Sequence, residues 1–406
     1  MRFGVFYEMQ LPKPWDANAE QRMFNEALDQ VALADELGID YAWAVEHHFL
    51  DEYSHCSAPE VFLATAAGRT KNIHLGHGIR QVIANYNHPA RTAECISTLD
   101  LVSNGRAEFG FGEGATRLEL HAFGIRAKEK RAMSIEAAEQ AANMMTMTPY
   151  PGYEGKSFSM PCRNVLPKPV QKPHPPMWMA CTNRDTIKVA ASLGVGALAF
   201  AFVDPDEAKT WSKTYYDIIK SDQCVPIGHS VNANIAMVSA FSLHEDPEEA
   251  VRRGQQGFEF FGFALQTLVA SDNVPGRSDL WGRYQASRSE RAEDDAQAPG
   301  IGTPADFVDH TKSFQESGVD QVILMQQAGN NSHENICDSL RLFGDEVLPE
   351  FIADREAREQ AKAEELAPYF EAALARKSKM PDLADDEIPV VYASVDKARV
   401  NEGTAN

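Results

Sequence analysis

The chain has 406 residues, 44% hydrophobic and 24% charged, ordinary proportions for a globular protein with a large buried core. Its formal net charge of −21 repels phosphate backbones and argues against nucleic acid as a partner. No stretch nears the roughly 18 uninterrupted apolar residues of a membrane helix, so no membrane partner is expected.

The opening Met1-Arg2-Phe3-Gly4-Val5-Phe6-Tyr7-Glu8 has one basic residue and a short apolar run ending in an acid. It reads as a first strand, not a signal peptide. Strand-like runs then follow at Tyr41–Val45, Ile73–Ile79, Ala107–Phe111, Met177–Ala180, Ala197–Phe202, Asn234–Phe241 and Gln321–Met325. With Phe3–Tyr7 they make eight. Between them lie amphipathic helical patterns such as Gln21–Leu37, Pro59–Ala67, Pro89–Leu101 and Glu129–Met145. Pro89 and Pro304 suit first helical positions, Thr303 capping the latter, and Gly38, Gly194 and Gly318 suit left-handed helix ends just before strands. Strands apolar on both faces, each separated by a helix, indicate a parallel sheet covered by helices. Eight repeats favour closure into an α/β (β/α)8 TIM barrel over an open doubly wound sheet.

Three segments interrupt the repeat. Thr148–Pro176, rich in Pro and Gly, reads as an extended crossing between the fourth and fifth strands. Gly257–Gly302 opens on the aromatic run Gly257–Phe263 and closes on the charged stretch Arg288–Asp295; it reads as a long insertion after strand seven with a lid function. The barrel domain is placed at 1–353. Residues 354–406 form an extension that starts as a charged helix and turns polar and mobile after Pro381. The six cysteines, at 56, 95, 162, 181, 224 and 337, form no CxxC pair, which fits a reducing cytoplasm and neither a disulfide framework nor a zinc ribbon.

Candidate chemistry begins at Ala42-Trp43-Ala44-Val45-Glu46-His47-His48-Phe49. Three polar groups stand where a buried strand runs out, the rim that carries the active sites of this fold. Alternation puts Glu46 and His48 on one side and His47 on the other. No HExxH helix is present, so no metal is expected; acid–base or hydrogen-bond chemistry by an imidazole is the better reading. Gly76-His77-Gly78-Ile79-Arg80 and Phe109-Gly110-Phe111-Gly112-Glu113-Gly114 place alternating glycines at two strand ends, for close approach of a flat ligand or for close packing. The spacing is not GxGxxG. Ala180-Cys181-Thr182-Asn183 leads into a helix, as an anion site at its N-terminus or as an ordinary cap. Arg131 could reach a phosphate.

Taken in order, these segments resemble the bacterial luciferase-like flavin-dependent monooxygenases over nearly all of Met1 to Phe351. The likeness rests on Met-x-Phe-Gly, Trp43-x-x-Glu46-His47-His48-Phe49, His88-Pro89-x-Arg91-x-Ala93-Glu94, Leu99-Asp100-x-x-Ser103-x-Gly105-Arg106, Gly302-Thr303-Pro304 and Gly318-Val319-Asp320. The resemblance implies reduced FMN from a separate flavin reductase, O2, and a peroxyflavin that oxygenates a small apolar aldehyde, ketone or alkene. His47 would be the catalytic imidazole, opening with His48 onto a dry cavity that faces the flavin, and Gly257–Gly302 the lid. Flavin contacts would fall on Gly78-Ile79, near a non-proline cis peptide, on Gly112, Glu113, Arg131, Ala180 and the phosphate loop Cys181-Thr182-Asn183. Glu113 stands where luciferases carry a phosphate-holding arginine, with Arg80 or Arg184 as substitutes. Phe6, Tyr7, Met9, Phe260 and Phe261 suggest an apolar substrate pocket. A homodimer is the family's common state. Deazaflavin-dependent hydride transfer, or flavin binding without catalysis, are the alternatives on the same fold.

Overall fold

A computed structural model of the chain describes residues 1–289 and 297–392. Eight parallel strands close into a barrel in sequence order: β1 (Arg2–Tyr7), β2 (Tyr41–Ala44), β3 (His74–Gln81), β4 (Ala107–Gly112), β5 (Met177–Cys181), β6 (Gly196–Ala199), β7 (Ile235–Ala240) and β8 (Gln321–Gln327). Closure runs through β8 and β1, with Phe3 opposite Val322 and Val5 opposite Leu324. Each expected strand is present, with ends displaced by a few residues at most. The helix starts and stops also appear. Thr303 and Asp306 form a reciprocal capping box ahead of the helix Pro304–Glu316, and Gly38, Gly194 and Gly318 take φ of 85°, 65° and 83°, which only glycine adopts without strain.

The N-terminal half of the barrel is plugged by two indoles. Trp43 and Trp178 meet edge to face at 5.4 Å, and the glycines of neighbouring strands make room for them. A Cβ on Gly4 would stand 2.9 Å from the Trp43 ring, and one on Gly76 or Gly196 would collide with Trp43 or Trp178. Most of the alternating glycines therefore serve close packing. Each indole N–H finds a buried acceptor: Trp43 donates to Gln321 Oε1 at 3.2 Å and Trp178 to Glu108 Oε2 at 2.6 Å, as buried tryptophans require.

The interruptions are more ordered than expected. The crossing 148–176 contains a hairpin, Tyr150–Glu154 paired antiparallel with Ser159–Arg163. The aromatic run at 257–263 is no loop; it lies inside the helix Pro247–Ala270. Its spacing puts Phe260 and Phe261 on the buried face, a 3.6-residue period that a compact cluster of aromatics conceals. A second helix, Leu280–Ser289, follows. Of the charged stretch 288–295, residues 290–295 lie outside the described residues, as do 393–406 of the extension. The extension begins with the helix Arg355–Arg376, which crosses the N-terminal end of the barrel and buries Leu366 and Ala373. No helix among the described residues is long and apolar enough to cross a membrane.

Candidate active site

Beyond β2 the chain enters Val45–Phe49 at the C-terminal mouth, and the expected alternation holds. Glu46 and His48 bond to each other, His48 Nε2 lying 3.2 Å from Glu46 Oε1. Glu46 also accepts from Gln81 N at 3.0 Å and from Asn87 Nδ2 at 2.8 Å. It ties the β2 exit to the end of β3 and to the loop after it. His48 is half-buried and packs against Phe123 at 5.1 Å and Tyr86 at 5.9 Å.

His47 turns the other way and is buried between two acids. Its Nδ1 is 2.9 Å from Glu119 Oε1 and its Nε2 is 3.3 Å from Glu8 Oε1. Glu8 follows β1. Glu119 sits on the short helix Arg117–Ala122 after β4, held by a capping box in which Thr116 and Glu119 satisfy each other's backbone N–H. Glu119 Oε1 also accepts from His48 N at 3.1 Å. Three separate exits of the barrel thus converge on one imidazole. Burial alone would lower the His47 pKa, but Glu119 and Glu8 outweigh it and raise it to about 9, the charge-partner effect exceeding desolvation. Burial pushes Glu8 up to about 7 despite His47, while Glu119, also buried, is brought below its ordinary value by His47, Thr116 and the His48 N–H. The ensemble can hold and pass a proton near neutral pH without contact with bulk water.

Backbone strain gathers here as well. Met9 (φ 58°), Phe49 (φ 66°) and Asp51 (φ 30°) lie in the left-handed region, the first two directly after Glu8 and His48. Such strain is retained where surrounding structure holds it, and clusters at active sites. Sequence reasoning missed Glu8 and Glu119. A strand-end acid and a Thr116-x-x-Glu119 capping signature were the available signals.

The mouth is walled by aromatics. Phe6 contacts Phe200 at 5.1 Å and Phe261 at 6.5 Å, and Tyr53 contacts Phe261 at 5.6 Å. Phe260 points away, onto Trp281 and Tyr284. The expected opening of His47 and His48 onto a dry cavity is corrected by the structure: His47 is enclosed by its two carboxylates, His48 packs on Glu46, Tyr86 and Phe123, and a cavity of about 170 Å3 at Phe49, Leu50, Leu118, Leu268 and Arg283 is lined by neither imidazole.

At Gly78 the wall has no side chain. A Cβ there would meet nothing nearer than 3.6 Å, the neighbours being Ala44 O, Trp43 Cβ and the Phe200 ring. The Gly78–Ile79 peptide is trans: the cis peptides among the described residues are Lys13-Pro14, Thr148-Pro149, Leu166-Pro167 and Lys172-Pro173. The irregularity is instead a register shift against β4 between His77 and Arg80, since a bulge redirects a strand end without that isomer. Ile79 packs into the space at Gly112, where a Cβ would strike its Cγ2.

The remaining expected contacts gather at the ends of β4 and β5. Arg131 lies near Cys181 and close enough to Asp185 to feel its charge, but its guanidinium is paired with Glu113 at 3.2 Å through both Nε and Nη2. Lys130 also approaches Glu113, at 3.7 Å. Asn183 caps the helix Arg184–Ser192, and Thr186 Oγ1 accepts from Thr182 N at 3.0 Å and Asn183 N at 3.2 Å. Those N–H groups are therefore locally satisfied. Ala180 is half-buried, and burial pushes the Cys181 thiol up to about 12, leaving it inert. Arg80 and Arg184 do not substitute here: Arg80 is buried against Glu60 and Asn87, and Arg184 pairs with Glu207. Among the described residues no three His, Cys, Asp or Glu side chains are grouped to hold a metal ion.

Comparison with known proteins gives the family. The chain is 22% identical over 378 residues to the oxygenase component of flavin-dependent trigonelline monooxygenase from Acinetobacter baylyi, spanning 89% of this chain and 98% of that protein. Among solved structures it matches the monooxygenase RslO1 from Streptomyces bottropensis with a TM-score of 0.70 and 27% identity, over 86% of this chain and 100% of that one. The coenzyme F420-dependent tetrahydromethanopterin reductase from Methanopyrus kandleri shares the fold, with a TM-score of 0.63 and 20% identity over 86% and 99% of the two chains. The family described as luciferase-like monooxygenase matches residues 1–321. With the closed barrel and the buried imidazole at its mouth, this match means that the chain belongs to the luciferase-like monooxygenases.

Proposed function

We propose that the protein is the oxygenase of a two-component system, using reduced FMN from a separate flavin reductase and O2 to oxygenate a small apolar aldehyde, ketone or alkene. The observation that carries this reading is His47, buried at the barrel mouth between Glu119 and Glu8. When bound, reduced flavin supplies the electrons that activate oxygen. The protein's part is to exclude water, orient both partners and manage the proton. His47 is the catalytic residue, holding a proton that Glu119 and Glu8 keep on the ring near neutral pH. Glu46 and His48 are positioning residues that fix the loop.

In this reading an FMN lies along the rim from Gly78 to Thr182, after two side chains give way. The side-chain-free wall at Gly78 suits a flat ring, and Phe200 is the side chain such a ring must displace. Ile79, Gly112 and Ala180 lie along the same rim. At the other end Arg131, Lys130 and the helix N-terminus at Thr182–Asn183 offer positive potential to a phosphate, which must displace Glu113 from Arg131. The aromatic wall of Phe6, Phe200 and Phe261 suits an apolar substrate. In this reading the lid over the mouth is formed by the helices Pro247–Ala270 and Leu280–Ser289. Exposed Val61, Leu101 and Val102 on the helices Pro59–Ala67 and Pro89–Val102 suit a homodimer interface, and the free cysteines a cytoplasmic location.

The test is cofactor choice. Aldehydes, ketones and terpenes are incubated with the protein, oxygen and either reduced FMN or reduced deazaflavin, and products are read by mass spectrometry. Gain of one oxygen with FMN alone is the expected result. Oxygen-independent reduction with the deazaflavin alone would replace this reading with hydride transfer.

A further inference from the structure

The opposite end of the barrel carries a second cavity, remote from the mouth. It measures about 480 Å3 and lies between the strand starts and the helix Arg355–Arg376, within the roughly 300–1,000 Å3 of small-molecule sites. One side is apolar, with the rings of Tyr41 and Trp178 at 6.5 Å from each other and Leu366 and Phe370 of the helix nearby. The family match ends at residue 321, before this helix begins. The helix thus adds one wall, Arg355 to Phe370, to a floor made by the strand starts.

Its wall carries four cationic side chains, Arg2, Arg355, Arg358 and Lys362, and two carboxylates, Asp320 and Glu359. Both carboxylates are engaged, Glu359 by Arg2 at 2.6 Å and Asp320 by Lys362 at 2.6 Å. Asp40 serves two guanidiniums at once, accepting from Arg2 Nη1 at 2.9 Å and Arg355 Nη1 at 2.8 Å. Arg355 Nε and Nη2 are left buried with no acceptor. These two atoms form one edge of the guanidinium fork, the edge that takes a carboxylate with two parallel hydrogen bonds.

A second group says the same independently. Gln321 is only 2% exposed and lines the cavity. Its Oε1 accepts from Trp43 Nε1, and an indole can only donate, so the amide cannot be flipped. Its Nε2 is consequently a donor, and it has no partner. Gln315 Nε2 on the same wall is also unpartnered. Native structures rarely leave buried donors unsatisfied, and each such group calls for an explanation.

We propose that this cavity binds a small carboxylate with a flat apolar body, its oxygens taken by Arg355 and Gln321 and its body lying against Tyr41, Trp178 and Leu366. The binding is separate from the mouth and does not depend on the flavin. The test uses the full chain loaded with FMN, titrated calorimetrically with 2-naphthoate and, as the neutral counterpart, 2-naphthamide. One naphthoate per chain is expected, with the amide at least ten-fold weaker. Arg355→Met should weaken naphthoate at least ten-fold and leave the FMN titration unchanged. Ala363→Phe, which narrows the cavity without removing a charge, should do the same and keeps the test decisive if the arginine variant folds poorly. Absent naphthoate binding, equal affinity for acid and amide, competition between naphthoate and FMN, or full affinity in Ala363→Phe would each overturn the proposal.

Discussion

The exits of β2 and β5 looked alike as sequence: each is a strand end followed by a cluster of polar residues. The structure makes them different kinds of place. Beyond β2, His47 is buried and its partners come from the exits of β1 and β4, so no single segment can satisfy it. Beyond β5, Thr182 and Asn183 are exposed and Thr186, three and four residues on, satisfies their N–H groups. Groups held by distant elements in a dry setting are preorganised for chemistry. Groups that close on their own helix turn form a cap, and a ligand has to compete with that cap.

The largest effect should follow from breaking the buried end. Glu119→Ala removes the acceptor of His47 Nδ1 and of the His48 N–H and leaves the buried imidazole with Glu8 as its one close carboxylate. It should cost on the order of 3 kcal/mol in denaturant unfolding; a loss near that of an exposed site, under about 0.5 kcal/mol, would show that the network does not hold the mouth together.

A pH series sharpens the same point. The native pKa of His47, about 9, lies above its ordinary 6.5, so the folded state binds this proton more tightly than the unfolded chain. Its stabilising contribution is complete below pH 6.5 and is lost as pH rises through 9. Glu8, raised to about 7 from 4.5, acts in the same direction at lower pH. The Tm difference between wild type and His47→Gln should therefore shrink from pH 6.5 to 9. A difference that stays constant or widens would mean that the imidazole is neutral in the folded protein.

At the β5 end the effects should be smaller. Arg131→Ala is expected to weaken FMN a few-fold, on the order of 1 kcal/mol, with riboflavin unaffected. Glu113→Gln should strengthen FMN by a comparable factor, because the carboxylate no longer occupies the arginine. Equal changes for FMN and riboflavin would remove Arg131 from the phosphate end.

The same contrast explains what could be read in advance. Parallel strands covered on both faces announce themselves as short apolar runs, and Gly38, Thr303 and Gly318 mark helix limits through local stereochemistry. Glu46, His47 and His48 were visible because they break such a run at the rim. Glu8 and Glu119 were not, since an acid after a strand or in a first helical turn is ordinarily a solvated residue or a cap. Only tertiary closure brings them 3.3 and 2.9 Å from His47. The alternating glycines stayed open between ligand approach and close packing for a related reason: the partner of Gly76 is an indole on a neighbouring strand, and nothing local reveals it. The fate of Gly257–Phe263 turned on helical period, which seven consecutive residues barely sample.

The most direct measurement is oxygenation under 18O2 with reduced FMN, comparing wild type, His47→Ala and Glu119→Gln at matched FMN occupancy. Acid–base groups of this kind contribute roughly 100-fold or more. One labelled oxygen in the wild-type product, with rates at least about 100-fold lower in His47→Ala and also reduced in Glu119→Gln, is the predicted result. Equal rates in all three proteins, or product without label, would contradict a buried imidazole held by two carboxylates as the proton-handling centre.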